Sequence, residues 1–232
     1  IKNVNLNDYK DLAKINVVSK YWIDAQKKLI EEDNYNLLYN FLKTHSANAE
    51  FNKHSFINSD TTDGFIYIVR DPRDVAISLS VHMGFDYDKT IEFMCSSNST
   101  AKTIDDFPTL LTRWDYNYIS WKNSKLPKLI IKYEDLFTKN KIILKKISNF
   151  LATNLKLELS DLDKKINMIV KTTKFNNLQN LEKKHGFSEA PDKKKLFFRK
   201  GVLGQWKVVL TNQQIKKIEN TFKSIMINLK YL

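Results

Sequence analysis

Apolar residues recur at helical spacing over residues 8–33, where Leu12, Ile15, Val18, Trp22, Ile23, Ala25 and Leu29 predict a helix. Residues 37–44 form a short apolar run, predicting a buried strand that ends in Lys43-Thr44-His45. Residues 46–63 are polar and read as loop. The unbroken run from Phe65 to Val69, after Gly64, predicts the clearest strand of the chain, apolar enough to be covered on both faces as in a parallel sheet. It stops at Arg70. Asp71-Pro72 then reads as the N-cap and first-turn proline of a helix running to about Met83.

Further on, residues 86–101 are polar with weak helical periodicity, and 107–124 predict a helix carrying Leu110, Leu111, Trp114, Tyr118 and Trp121. A third buried strand is predicted over 128–133, ending at Tyr133-Glu134-Asp135. Amphipathic helices follow over 139–152, 160–171 and 211–227, with an irregular basic stretch at 182–204. Strands alternating with helices predict an α/β fold with parallel strands. Such folds bind ligands at the carboxyl ends of their strands, and the predicted strands end at His45, Arg70 and Tyr133.

Composition narrows the class without deciding it. A chain of 232 residues suits one compact domain spanning 1–232, and 42% apolar with 28% charged content is ordinary for a globular protein. No run approaches the length of apolar sequence a membrane helix needs. The single cysteine, Cys95, allows no internal disulfide, and His45, His54, His82 and His185 are too dispersed for a zinc site, so no metal is expected. A net charge of +12 raises nucleic-acid binding as a reading. Against it, only 4 of the 38 basic residues are arginines, and the lysines are spread along the chain among many Asn and Ile. That is a compositional bias rather than a phosphate-reading surface, and no nucleic-acid partner is expected.

The scarce arginines carry more information. Arg70 leaves a strand just before a helix N-terminus, where backbone N–H groups and the helix dipole favour an anion and a guanidinium can clamp it. Ser78, eight residues on, adds a hydroxyl if its face turns inward. The competing reading is a surface arginine paired with Asp71 or Asp74. His45 beside Lys43 reads as a general base at neutral pH or as an ordinary polar residue. Arg199-Lys200-Gly201, with Gly204 behind it, offers two cations on a loop that can close over a phosphate.

Together these segments resemble the sulfotransferases that use 3′-phosphoadenosine 5′-phosphosulfate (PAPS). Tyr67-Ile-Val-Arg-Asp-Pro-Arg-Asp-Val-Ala-Ile-Ser78 resembles that family's 3′-phosphate motif. Arg199-Lys-Gly-Val-Leu-Gly-Gln-Trp-Lys207 resembles its Arg-Lys-Gly-x-x-Gly-Asp-Trp-Lys signature, with Gln205 replacing the usual Asp. Leu42-Lys-Thr-His45, Lys132-Tyr-Glu-Asp-Leu136 and Thr172-Thr-Lys-Phe175 match, in order, the catalytic-histidine strand and two elements at the adenine. The resemblance spans residues 37–225. It implies an α/β, P-loop-like three-layer domain with a central parallel sheet flanked by helices, and a cytoplasmic enzyme with PAPS as cosubstrate and PAP (adenosine 3′,5′-bisphosphate) as product. Arg70, Ser78, Arg199, Lys200 and Gly201 would hold the 3′-phosphate; Tyr133, Thr173, Lys174 and Phe175 would border the adenine; His45 would be the base, assisted by Lys43. The acceptor would be a small molecule or a carbohydrate, and homodimerisation is left open. The family's Pro-Lys-Ser-Gly-Thr-Thr-Trp-like phosphosulfate loop does not occur in residues 1–232, so the expectation is a chain truncated ahead of Ile1. Failing that, the resemblance would leave a catalytically inactive nucleotide-binding protein of the same fold. A P-loop kinase is disfavoured, because no Gly-x-x-x-x-Gly-Lys-Ser/Thr loop occurs.

Overall fold

The computed structural model describes residues 10–31, 39–102, 108–187, 190 and 196–232. In chain order its elements are α1 (Asp11–Ser19), α2 (Trp22–Glu31), β1 (Glu50–Phe51), β2 (His54–Ser55), β3 (Phe65–Val69), α3 (Pro72–Met83), α4 (Tyr87–Cys95), β4 (Thr100–Lys102) and β5 (Pro108–Leu110). They continue with α5 (Trp114–Lys122), β6 (Lys128–Lys132), α6 (Tyr133–Thr138), α7 (Asn140–Leu155), α8 (Leu162–Thr172), α9 (Phe175–His185), α10 (Trp206–Val209) and α11 (Asn212–Asn228). Two compact units result, one of Ile1–Phe65 with Phe93–Lys128, the other of Ile66–Glu92 with Leu129–Leu232.

In the first unit the helix predicted over 8–33 is two helices. The Ser19 hydroxyl donates to Asn16 O (2.7 Å), taking a carbonyl at the end of α1, and the Tyr21 amide turns back to Val18 O (2.9 Å). Ile15 of α1 packs with Ala47 and Leu110, ringed by Leu12, Trp22, Ala49 and Phe51. Aromatic edges extend this core from Trp22 to Phe56 (5.2 Å), Phe56 to Trp121 (6.3 Å) and Trp121 to Phe65 (4.8 Å). Within the expected loop at 46–63, β1 and β2 form a small hairpin across Asn52 and Lys53, whose positive φ values (50° and 67°) give it a two-residue turn.

Two expectations in this unit are corrected. Residues 108–124 are not one helix: β5 pairs antiparallel with β4, Thr100 opposite Leu110, and Thr112 at φ 54° breaks the chain before α5 starts. Leu110 satisfies its apolar character by strand burial rather than on a helix face, and the Leu111 and Thr112 amides both donate to Ser99 O (2.9 Å each). The buried strand expected at 37–44 is also absent over the described part, 39–44, with Phe41 and Leu42 exposed; residues 37–38 lie outside the described residues. A strand needs a neighbour to complete its ladder, and no described strand pairs with this segment.

The second unit is built on β3 and β6. They run parallel: the Phe65 amide donates to Pro127 O (3.0 Å) where they start, and Arg70 lies 4.5 Å over the Tyr133 ring where they end. Asp71 caps α3 by accepting from the Arg73 amide (2.9 Å), Pro72 occupies the first turn, and Gly84 closes it at φ 68°. Val69, Ala76, Ile77, Ile131, Ile218, Phe222 and Met226 are buried. Each large apolar side chain of this set contributes about 1.5–3 kcal/mol by burial. α11 opens on a Thr211–Gln214 capping box. Inside this core Arg73 donates to Asp71 (2.7 Å), Glu219 (2.6 Å) and Tyr231 O (2.9 Å) and lies 3.8 Å over Trp206. The stretch predicted irregular at 182–204 is helical as far as His185, because α9 buries Glu182 through hydrogen bonds rather than through apolar periodicity.

Candidate functional site

A cavity of about 840 Å³ opens in the second unit, and Arg70, Ser78, Tyr133, Thr173, Lys174, Phe175, Arg199, Lys200 and Gly201 all line it. Arg70 and Tyr133 reach it from the carboxyl ends of β3 and β6, Ser78 from α3, Thr173 to Phe175 from the α8–α9 junction, and the last three from the loop before α10. Arg70 donates weakly to Val202 O (3.4 Å), stands 3.8 Å from Asp74 and stacks on Tyr133, yet its Nε is buried with no hydrogen-bond partner among the described residues. A buried guanidinium N–H left unpaired costs on the order of 1–3 kcal/mol, which an anion bound there would recover. Gln205 Oε1, on the same cavity, is buried and unpartnered in the same way.

The Tyr133 ring lies tilted against that of Phe137 (centroids 5.1 Å apart), and burial raises its phenol pKa against the pull of Arg70, so it presents a neutral ring and hydroxyl. The Ser78 side chain is exposed and donates back to Val75 O (3.1 Å), from which rotation of the hydroxyl frees it toward the cavity. Gly201 is at φ 59°; a Cβ there would lie 2.8 Å from Phe175 Cγ and nearer still to the ring edge. Backbone and ring therefore meet where only glycine fits. Exposed Arg199 and Lys200 flank this contact. Chemically, the cavity joins a cationic end to aromatic and aliphatic walls that include Phe198, Leu178 and Leu136. That pairing suits a ligand with a phosphate-like anion and a flat ring.

Lys43 and His45 belong to the first unit, on exposed irregular chain rather than at a strand end; Asn117 Nδ2 donates to the His45 carbonyl (3.3 Å). Among the described residues no cluster of His, Cys, Asp or Glu could hold a metal ion. Three residues that order the site are given no such role by the sequence: Asp74, which lies inside the 67–78 motif, and Gln179 and Glu182, which lie in no motif. Asp74, buried, accepts from the Gly204 amide (2.7 Å) and the Trp206 amide (3.2 Å), fastening the basic loop to α3. Gln179 and Glu182 hold the same loop from α9. The sequence suggests Asp74 only as an ion-pair partner for Arg70, and it gives no signal for the other two.

A family profile described as "sulfotransferase domain" matches residues 7–230. Sulfotransferase 2A1 of Macaca fascicularis is 26% identical over 219 residues, covering 90% of this chain and 70% of that protein. Cytosolic sulfotransferase 12 of Arabidopsis thaliana is 28% identical over 169 residues, 68% of this chain but 48% of its own length. The chain thus spans about half of that relative. Among solved structures, retinol dehydratase in complex with androsterone and the inactive cofactor PAP superposes with a TM-score of 0.62 at 19% identity, covering 94% of this chain and 66% of that one. This likeness shows the α/β sulfotransferase fold.

Proposed function

Since the chain belongs to the sulfotransferase family, we propose that it transfers a sulfuryl group from PAPS to a hydroxyl or amine of a small-molecule or carbohydrate acceptor in the cytoplasm. The observation that carries this reading is the buried, unpartnered Arg70 Nε in a cavity that also gathers Arg199, Lys200 and Gly201. The fold neighbour is complexed with PAP, whose 3′-phosphate suits that cationic end and whose adenine suits the walls at Tyr133 and Phe175.

In this reading Arg70, Ser78, Arg199, Lys200 and the Gly201 amide bind the 3′-phosphate, while Tyr133 and Thr173 to Phe175 border the base. His45 takes the proton of the acceptor as its oxygen or nitrogen bonds to sulfur. The bond from sulfur to the 5′-phosphate breaks with its electron pair leaving on the phosphate, and the Lys43 charge helps to balance the group in transit. Positioning and charge stabilisation supply most of the acceleration in such a transfer, by analogy with phosphoryl transfer.

The test is the melting temperature of the chain with adenosine 3′,5′-bisphosphate, with AMP as the control lacking the 3′-phosphate. At about 100 times its dissociation constant a ligand adds roughly 2.7 kcal/mol, a shift of roughly 5–11 °C for a chain of this size. The bisphosphate should give that shift, AMP a much smaller one, and Arg70→Ala should remove the difference. Equal shifts with both nucleotides would overturn the assignment.

A further inference from the structure

Over the described residues 196–205, the loop that carries Arg199 and Lys200 has no secondary structure of its own, yet its backbone is held along one face of α9. Glu182, buried, accepts from the Phe197 amide through Oε1 (2.5 Å) and from the Phe198 amide through Oε2 (2.9 Å). One turn earlier, Gln179 Nε2 donates to Phe198 O (2.7 Å) and lies 3.5 Å from Arg199 O. At the start of the helix the Phe175 ring fills the space a Cβ would take at Gly201. Residues 175, 179 and 182 form one helical stripe, and the loop runs antiparallel to it, with 197–198 at Glu182 and 201 at Phe175. Between them the Arg199 amide closes a tight turn on Phe197 O (2.9 Å).

Burying a carboxylate is costly unless its oxygens are fully hydrogen-bonded, and both partners of Glu182 here are backbone amides of the basic loop. An apolar residue would pack α9 at less cost but would leave those amides unpaired and the loop free to slide. We propose that Glu182 and Gln179 are positioning residues: they lock the 197–201 turn to α9, so that the element bordering the aromatic end and the element bearing the cations form one rigid half of the site. The proposal rests on the donor-site reading given above. It adds that selectivity for the 3′-phosphate depends on two side chains that touch no ligand. Arg199 and Lys200 are exposed, so their aim is set by the backbone beneath them, and an unlocked turn spreads their charges over many orientations.

Affinities of the full chain for adenosine 3′,5′-bisphosphate and for AMP, by titration calorimetry, test this. Glu182→Gln keeps the shape of the side chain but turns one acceptor into a donor facing an amide. It should weaken bisphosphate binding about tenfold and AMP binding less than about twofold, the loss expected for a broken charge-assisted hydrogen bond. Gln179→Ala, which removes one neutral hydrogen bond, should lower the bisphosphate-to-AMP preference about threefold. A merely structural role would lower the melting temperature of the unliganded chain and leave that preference unchanged. Should Glu182→Gln fail to fold, Gln179→Ala alone decides. An unaltered preference in the folded variants overturns the proposal while leaving the donor site standing, whereas a wild-type chain that prefers neither nucleotide removes both.

Discussion

Replacing Gly201 by alanine is the sharpest perturbation the cavity offers, because two separable costs meet at one atom. The backbone is at φ 59°, in the left-handed region, where a Cβ costs about 1–2 kcal/mol. That Cβ would also fall 2.8 Å from Phe175 Cγ, an overlap with the middle of a ring that its flanking helix holds in place. Overpacking of this kind adds about 1–3 kcal/mol. Gly204 supplies the control: at φ 70° it carries the first cost, but nothing lies within 4 Å of where an alanine methyl would stand. Gly201→Ala should therefore lower stability by about 2–5 kcal/mol and Gly204→Ala by about 1–2 kcal/mol, read as urea midpoints and as melting shifts of roughly 2–4 °C per kcal/mol. Phe175→Leu, introduced into each background, should recover part of the Gly201→Ala loss and none of the Gly204→Ala loss, with the direct cost of losing the ring removed by the double-mutant cycle. Equal losses at the two glycines, or no coupling to Phe175, would refute the close approach of ring and loop.

Asp74→Ala should destabilise the chain by about 2–4 kcal/mol in urea unfolding, since it strands the amides of Gly204 and Trp206 together, and it should loosen bisphosphate binding as the basic loop comes away from α3. Tyr231 loses its proton far less readily than an ordinary phenol, because burial and a 2.8 Å hydrogen bond to Glu134 both favour the neutral form. Above a pH of about 10 the unfolded chain releases that proton and the folded one keeps it, so stability present below this pH is lost as pH rises; urea midpoints should fall on that limb for the wild type and less steeply for Tyr231→Phe. His45→Ala should cut the sulfuryl-transfer rate about 10²–10⁴-fold while bisphosphate affinity stays within a factor of about two, and parallel loss of both would argue against a base at this position.

The parts of the fold legible in the sequence are those whose signals are local. Asp71, Pro72 and Gly84 mark the ends of α3 through their own backbone preferences, and the continuous apolar runs of β3 and β6 announce strands, but not the cover on both faces expected of them: Ile68 is exposed, and each strand buries a single residue, Val69 or Ile131. The misread segments share a different physics. Leu110 and Leu111 fit a helical period by chance, while Ser99, just ahead of β4, accepts from the Leu111 and Thr112 amides. Phe41 and Leu42 have the hydrophobicity of a strand, but pairing is a property of two segments, and a single run carries no information about its partner.

The same division runs through the site. Arg70, Ser78, Tyr133, Phe175, Arg199 and Gly201 stand in the segments that carry the family resemblance, and all six line the cavity. Asp74, Gln179 and Glu182 work by gripping backbone amides and carbonyls, groups that every residue of the loop would present, so nothing in the loop sequence identifies its supports. Gln205 shows how such support changes a motif. Its Nε2 donates to Val202 O (3.4 Å), the same carbonyl that Arg70 Nη2 reaches (3.4 Å). The aspartate usual at this place in the signature has no N–H to offer that carbonyl, and it would add a negative charge to a cavity whose cations, in the proposed reading, would face an anion. With glutamine the Val202 carbonyl gathers two donors and the cationic end keeps its full charge, so the departure from the motif is compatible with holding a phosphate.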